Sequence, residues 1–478
     1  MKKYRLLSVL LFLCCTLASA QKIQYSKSVF RTPGAGTLQL LANINGFHHL
    51  IYFSNIKKPV VYIFNNQLQL QSTKELNIRI TENCDIRLLK LKDYYVLYAH
   101  TLKPSRHQLL KINRDGVSSD ISALLNKPAD SLWNRSTATY QLFNNEDSMF
   151  LVSHTYLHPV KKIRTTVVKL NPESGAAISA QVLFPFNASY DELKEVTLQK
   201  KQLLILKNSK DEDLKNTLTV MKADLLRGTQ LSKQFESGKY VYYNPALRYN
   251  ISDSTIFIYS MLTTPAGYRG VRPGLFMVRL SSTLNELSPV QTIPNIFRYN
   301  AITTFIVEKA NTYGWMSFSY SQKNFGTSTS TLMPTRVTRP PEFYPIEASI
   351  ENYYYYNNDY GTAPTAVLMI LLNNRLEKAK DSVVKNNGNY YKIHPSPHAQ
   401  FILKNTACLL VVEELAAKKK GLLLVSPGDK GNFNTLPIRV YDRFDFMLTL
   451  LQTDDDNSFI VPFTNKKEIG LMKVTLSN

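Results

Sequence analysis

The sequence predicts an all-β chain folded as a single β-propeller of four-stranded blades, eight in number, with seven as the alternative count. Three observations lead there: a strand-and-turn unit that recurs, a repeat interval of blade size, and the absence of any long helical periodicity. The unit is clearest at residues 86–122, where segments 86–91, 94–101, 107–113 and 117–121 are short and rich in Tyr, Val, Ile and Leu. Lys92-Asp93, Pro104-Ser105 and Arg114-Asp115-Gly116 separate them as turns.

The second strand of this unit recurs at residues 47–54, 148–155, 202–208, 255–261, 313–320, 407–413 and 458–463. The third strand ends in an apolar residue, a cation, an apolar residue and a small polar one. It reads Leu110-Lys111-Ile112-Asn113, Val168-Lys169-Leu170-Asn171, Met221-Lys222-Ala223-Asp224, Val278-Arg279-Leu280-Ser281 and Met472-Lys473-Val474-Thr475. Successive copies lie about 47 to 58 residues apart, a propeller period. One sheet cannot bury both faces alone, so neighbours must pack around an axis, and a closed ring leaves few edges exposed. The last copy ends at Leu476 without a fourth strand, which residues 24–30 can supply.

Residues 1–20 read as a signal peptide: Lys2, Lys3 and Arg5, an apolar run over 6–13, then Ala18-Ser19-Ala20 as a cleavage site. Cleavage near Ala20 implies an extracytoplasmic protein, periplasmic or secreted, and residues 21–478 form the propeller. No later apolar run approaches the roughly 20 residues of a transmembrane segment. The expected state is a monomer or a part of an envelope complex. Two of the four cysteines leave with the signal, so Cys84 and Cys408 make neither a disulfide scaffold nor a zinc site. Removing the three signal cations lowers the formal charge from +21 to +18. That charge draws anionic partners, and export turns the expectation from nucleic acid toward glycans, lipid head groups or acidic proteins.

One interval breaks the ruler, between Trp315 and Leu410. It reads as one blade with a Ser/Thr/Pro/Tyr-rich insertion at about residues 322–364. In a four-stranded blade the link between second and third strands shares a rim with the link between blades. Those 2–3 links are long here and carry His158, Lys161 and Lys162, then Tyr268, Arg269 and Arg272, then Tyr353, Tyr354, Tyr355, Tyr356 and Tyr360. With His154 at the end of a second strand, they form the candidate binding set for a protein or an anionic glycan. The repeated third-strand cation reads instead as a packing residue whose stem lies between blades while its charge reaches water.

Catalytic arrangements are missing from the sequence: there is no Gly-x-Ser-x-Gly elbow, phosphate-binding loop or His-Glu-x-x-His. His48 and His49 are adjacent and point to opposite faces of a strand. Asp454-Asp455-Asp456-Asn457 reads as turn chemistry. No catalytic residue, metal ligand or cofactor is assigned. The blade spelling resembles β-propellers in general across most of the mature chain. It lacks the Trp-Asp ending, the paired kelch glycines, the sialidase Asp box and the Trp-rich quinone-enzyme signature, so no family's chemistry transfers to any residue. The leading expectation is an exported, non-catalytic propeller binding through its long-link rim. A glycan-processing enzyme using first-strand carboxylates (Asp85, Glu195, Asp253) is the alternative, and a structural part of an envelope assembly is a third.

Overall fold

A computed structural model describes residues 21–30, 38–54, 57–78, 84–102, 105–125, 139–145, 148–157, 160–173, 177–199, 201–210, 216–238, 240–250, 254–263, 274–294, 301–309, 312–320, 366–373, 375–385, 398–403, 406–415, 419–428, 433–438, 444–464 and 468–476. The first two strands are β1 (Gln21–Tyr25) and β2 (Val29–Phe30), whose partners come last in the chain. The first blade follows as β3 (Leu38–Ile44), β4 (Phe47–Ser54), β5 (Lys57–Phe64) and β6 (Leu70–Glu75). The second is β7 (Cys84–Lys90), β8 (Tyr94–Leu102), β9 (Ser105–Asn113) and β10 (Ser118–Asp120). The third is β11 (Thr139–Asn145), β12 (Ser148–Leu157), β13 (Lys162–Leu170) and β14 (Ala177–Pro185). The fourth is β15 (Asp191–Gln199), β16 (Gln202–Lys210), β17 (Asn216–Asp224) and β18 (Gln230–Glu236). The fifth is β19 (Val241–Asn250), β20 (Thr255–Thr263), β21 (Gly274–Leu280) and β22 (Gln291–Pro294). The sixth is β23 (Ala301–Lys309), β24 (Thr312–Tyr320), β25 (Ala366–Leu372) and β26 (Lys378–Lys385). The seventh is β27 (His398–Leu403), β28 (Thr406–Leu415), β29 (Lys419–Pro427) and β30 (Phe433–Ile438). Each is an antiparallel meander in which sequence neighbours pair.

The remaining sheet differs. β31 (Asp445–Phe446) and β32 (Gln452–Asp455) both pair with β33 (Ser458–Thr464), which pairs with β34 (Glu468–Leu476). β1 and β2 then both pair with β34, making six strands drawn from the two ends of the sequence. The expectation of eight four-stranded blades is therefore corrected: among the described residues seven sheets are four-stranded blades, and β1, β2 and β31 to β34 form this six-stranded closing sheet instead of another copy. The expected closure over residues 24–30 is present, shifted to Gln21–Tyr25 and Val29–Phe30. Residues 378–385, whose spacing would also suit a short amphipathic helix, form strand β26: Val367 and Leu368 of β25 pair with Val384 and Val383.

The described residues divide into two compact units, residues 1–76 with 386–478, and residues 77–385. The first holds the first and seventh blades and the closing sheet; the second holds the second to sixth blades. In each unit the apolar residues of neighbouring sheets interlock. Leu89, Val96 and Leu109 of the second blade meet Met149, Leu151 and Val168 of the third. Leu204, Leu218 and Val220 of the fourth meet Leu247, Ile258 and Val278 of the fifth. In the other unit Phe401, Leu410 and Leu422 meet Phe459, Val461 and Met472. Burying each such side chain is worth about 1.5–3 kcal/mol. A middle strand such as β16 is buried on both faces, which is why it reads as an unbroken apolar run, whereas the outer strands β6 and β18 are mostly exposed and polar.

In the first six blades a small polar residue at the end of the third strand builds the turn to the fourth. Asn113 Oδ1 accepts the N–H groups of Asp115 and Val117, and Asn65 and Asn373 accept from residues two and four further on in the same way. Ser281 Oγ does so with Thr283 and Asn285, and Asp224 with Leu226 and Arg227. The turns then need a residue at positive φ. Gly116 supplies it at φ 74, but Leu68, Leu284 and Leu376 occupy the same place at φ 56, 64 and 63. All three leucines are buried, so the turn presses its strained residue into the core.

Candidate functional site

Within the five-blade unit, the edge carrying the 2–3 links is ordered by backbone hydrogen bonds. Between β12 and β13 the chain turns through Lys161, which adopts φ 47. The Lys161 carbonyl accepts the Phe186 N–H at 2.9 Å, tying this turn to the link that leads into the fourth blade. Phe186 is buried and meets Tyr156 edge-on at 5.8 Å. The link then curls back on Asn187, whose carbonyl accepts from Tyr190 and Asp191 at 2.9 and 2.7 Å. The Tyr190 carbonyl accepts the Lys210 N–H at 2.9 Å, which fixes the end of β16 to the same link. The turn at Lys161, the crossing between the two blades and the end of β16 thus form one ledge.

The charges on this ledge are unevenly matched. Asp191 Oδ2 accepts from the Asn187 N–H and from Lys207 Nζ, both at 2.8 Å, and both charged side chains are largely buried. Lys194 pairs with Glu192 at 2.5 Å. Lys161, Lys162 and Lys210 are exposed and have no ion pair among the described residues. Beside them stand Tyr190, 39 % exposed, and Val160, 57 % exposed.

A second polar group lies deeper. Glu195 on β15 follows a register shift between Leu193 and Glu195, and β19 shifts between Tyr243 and Ala246. The two irregular strands bring Glu195 Oε2 to the Leu247 N–H and Oε1 to Arg248 Nη1 at 3.2 Å. Arg248 also donates to the Leu247 carbonyl at 3.0 Å and lies 5.7 Å over the Tyr259 ring. Burial pushes the Glu195 carboxyl up to about 7 against the opposing pull of Arg248 and the Leu247 N–H. Both oxygens are engaged and the residue is 8 % exposed, so it clamps two blades and presents no face to a substrate.

The other residues singled out from sequence fall in different places. His154 is 2 % exposed, its Nδ1 2.9 Å from Thr165 Oγ1, and burial lowers its pKa to about 4. Lys161 and Lys162 lie on the ledge just described. His158, Tyr268, Arg269, Arg272, Tyr353, Tyr354, Tyr355, Tyr356, Tyr360 and Asp253, with residues 322–364, lie outside the described residues, as does the side chain of Asp85. Of the repeated cations, Lys111 lies 4.2 Å over the Tyr94 ring and reaches Glu173 of the next blade, and Lys222 reaches the Ser282 carbonyl of the next. Both span neighbouring blades, as a packing cation should. Lys169 is exposed.

Two polar groups have no signature in the sequence. Asp191 and Lys207 meet only because adjacent strands bring them together. Asp454, grouped above with the turn, binds Lys473 and accepts from Asn43 Nδ2 at 3.2 Å, with His48 Nε2 at 3.5 Å. That cluster joins the closing sheet to the first blade. Its neighbour Asp455 does serve the turn, accepting the Asn457 N–H at 2.8 Å. No group of three metal-ligating side chains occurs among the described residues.

No known protein family matches the chain, and no curated protein matches it. Among solved structures it is similar to the WD40 domain of SCAP from fission yeast, at 9 % identity and a TM-score of 0.41, over 96 % of this chain and 99 % of that one. It is also similar to a mutant apocarotenoid oxygenase from Synechocystis, at 9 % identity and a TM-score of 0.38, over 88 % and 94 %. An α-L-arabinofuranosidase from Fusarium graminearum follows at 10 % identity and 0.32, over 71 % and 92 %. At these scores the likenesses carry no inference about function.

Proposed function

We propose that this chain is an exported, non-catalytic binding propeller that captures an anionic partner, protein or glycan, on the edge carrying its 2–3 links. The signal-like residues 1–20 support export, and the +18 charge of the mature chain supports the sign of the partner. The observation that carries the reading is local. On one hydrogen-bonded ledge Lys207 is neutralised by Asp191, while Lys161, Lys162 and Lys210 stand exposed with no ion pair among the described residues. Exposed charges act over a Debye length of about 8 Å at physiological salt, so the adjacent Lys161 and Lys162 act together on an extended polyanion. The test is binding of the purified protein to polygalacturonate and to poly-glutamate, with neutral dextran as control, at low and high salt. Wild-type protein binds at least one polyanion, salt-sensitively, and K161E/K162E/K210E weakens that binding about tenfold or more, each tenfold being about 1.4 kcal/mol. Undiminished polyanion binding by the triple variant overturns the reading.

A further inference from the structure

We infer that the outer edge of β14 is a docking surface for a second copy of this chain, the two strands pairing antiparallel across a two-fold axis. The outer strand of a blade leaves backbone N–H and C=O groups open along its far edge, and proteins normally blunt such edges. The other outer strands here are blunted in recognisable ways. β10 and β22 are only three and four residues long. β6 contains a register shift and carries Lys74 and Glu75; β26 contains another and carries Lys378, Lys380, Asp381 and Lys385. β18 carries Lys233 and Glu236, and β30 has Pro437 in its interior. β14 has none of these devices. It runs nine residues, pairs with β13 without a shift, contains no charged residue, and meets a proline only at its last position, Pro185. Among the described residues no strand pairs with its other edge. Ser179 and Gln181 are exposed, and Leu183 is 43 % exposed.

Charge selects the occupant. A mature chain of formal charge +18 repels its own copies, so copies can meet closely only where cations do not face one another. An antiparallel pair of β14 strands in full register sets Gln181, the middle residue, against its own counterpart, and Ser179 against Leu183. The nearest cations stand one strand back. Lys162, Arg164 and Lys169 lie on β13, paired with Pro185, Leu183 and Ile178. The two β13 strands would be three strand spacings apart, about 14 Å, beyond the screening length of about 8 Å. At the strand ends, Lys161 binds next to Pro185 through the Phe186 N–H, while Glu173, the partner of Lys111, precedes Ala177. Antiparallel pairing turns the Lys161 end of one copy toward the Glu173 end of the other, so like charges do not meet there. The product is one continuous sheet of two blades, held by main-chain hydrogen bonds.

The test is sedimentation velocity on the full-length protein from micromolar to millimolar concentration, comparing wild type, Gln181→Lys and Gln181→Glu, with melting curves to confirm folding. Wild type is expected to dimerise reversibly and weakly, since one strand pair is a small interface. Each variant sets like charges face to face on the two-fold axis and should raise the dimer dissociation constant about tenfold or more. An equimolar mixture of the two variants should return to within about threefold of wild type, because opposite charges then face one another. A wild type that stays monomeric, a dimer that both variants leave unchanged, or a mixture no tighter than its components overturns the proposal.

Discussion

Acid should reveal two titrations in the five-blade unit that hide one another. Glu195 is held above its ordinary value of 4.5 at about 7, and His154 is held below its ordinary 6.5 at about 4. A carboxyl with a raised folded pKa contributes stability that is full below the unfolded pKa and is lost as pH rises through the folded one. Between pH 8 and pH 5 Glu195 therefore adds about 3 kcal/mol as the solution is acidified. A histidine kept neutral behaves oppositely. The unfolded chain takes up the proton below pH 6.5 and the folded one does not, so His154 removes about 2 kcal/mol over the same window. Both groups sit in one compact unit, so both bear on its stability. Urea titrations at pH 8 and pH 5 should thus show a wild-type protein whose stability changes by about 1 kcal/mol or less from these two groups. Glu195→Gln keeps an acceptor for the Leu247 N–H and removes the proton, so this variant should lose about 2 kcal/mol on going to pH 5. His154→Gln should gain about 3 kcal/mol over the same change. If Glu195→Gln follows the wild-type pH profile, Glu195 does not titrate as a buried clamp and the reasoning fails.

Two further outcomes concern the frame. At Gly470 an added Cβ would lie 2.5 Å from Phe463 Cζ and 3.0 Å from Ser26 Oγ, and Ser26 Oγ accepts the Leu471 N–H, so Gly470→Ala should destabilise the closing sheet by about 1–3 kcal/mol. Urea unfolding would show it, and a variant as stable as wild type would mean that Phe463 can move aside. Leu284 holds a positive φ yet is 4 % exposed in the core shared by the fourth and fifth blades. Leu284→Gly should relieve about 1 kcal/mol of backbone strain but lose about 3 kcal/mol of burial and packing, for a net loss of stability; a more stable glycine variant would show that this leucine is not an anchor.

The strand ruler worked because middle strands are buried on both faces and must be spelled with apolar residues whatever the blade. The third-strand ending was legible for a second reason. Its Asn, Asp or Ser is needed for the turn, so chemistry as well as packing repeats it at Asn113, Asp224 and Ser281. The blade count was not legible, since β33 and β34 are spelled like any second and third strand. What sets their sheet apart is the pairing of β31 and β32 with β33 and of β1 and β2 with β34. His154 reads in sequence as a rim residue because it is near the end of β12, but β12 is buried on both faces there, and His154 meets Thr165. The Asp191–Lys207 pair and the Asp454 cluster depend on neighbours across strands, which no local pattern encodes.

The closing sheet also sets an order of events during synthesis. Every strand of the second to fifth blades pairs with one made shortly before or after it, so these sheets can form as the chain emerges. Residues 21–25 are made long before their partners, residues 472–476. Until those arrive, the edge of β1 stays unsatisfied and open to any other strand. A chain cut a few residues short of Leu476 would thus carry a sheet that cannot close.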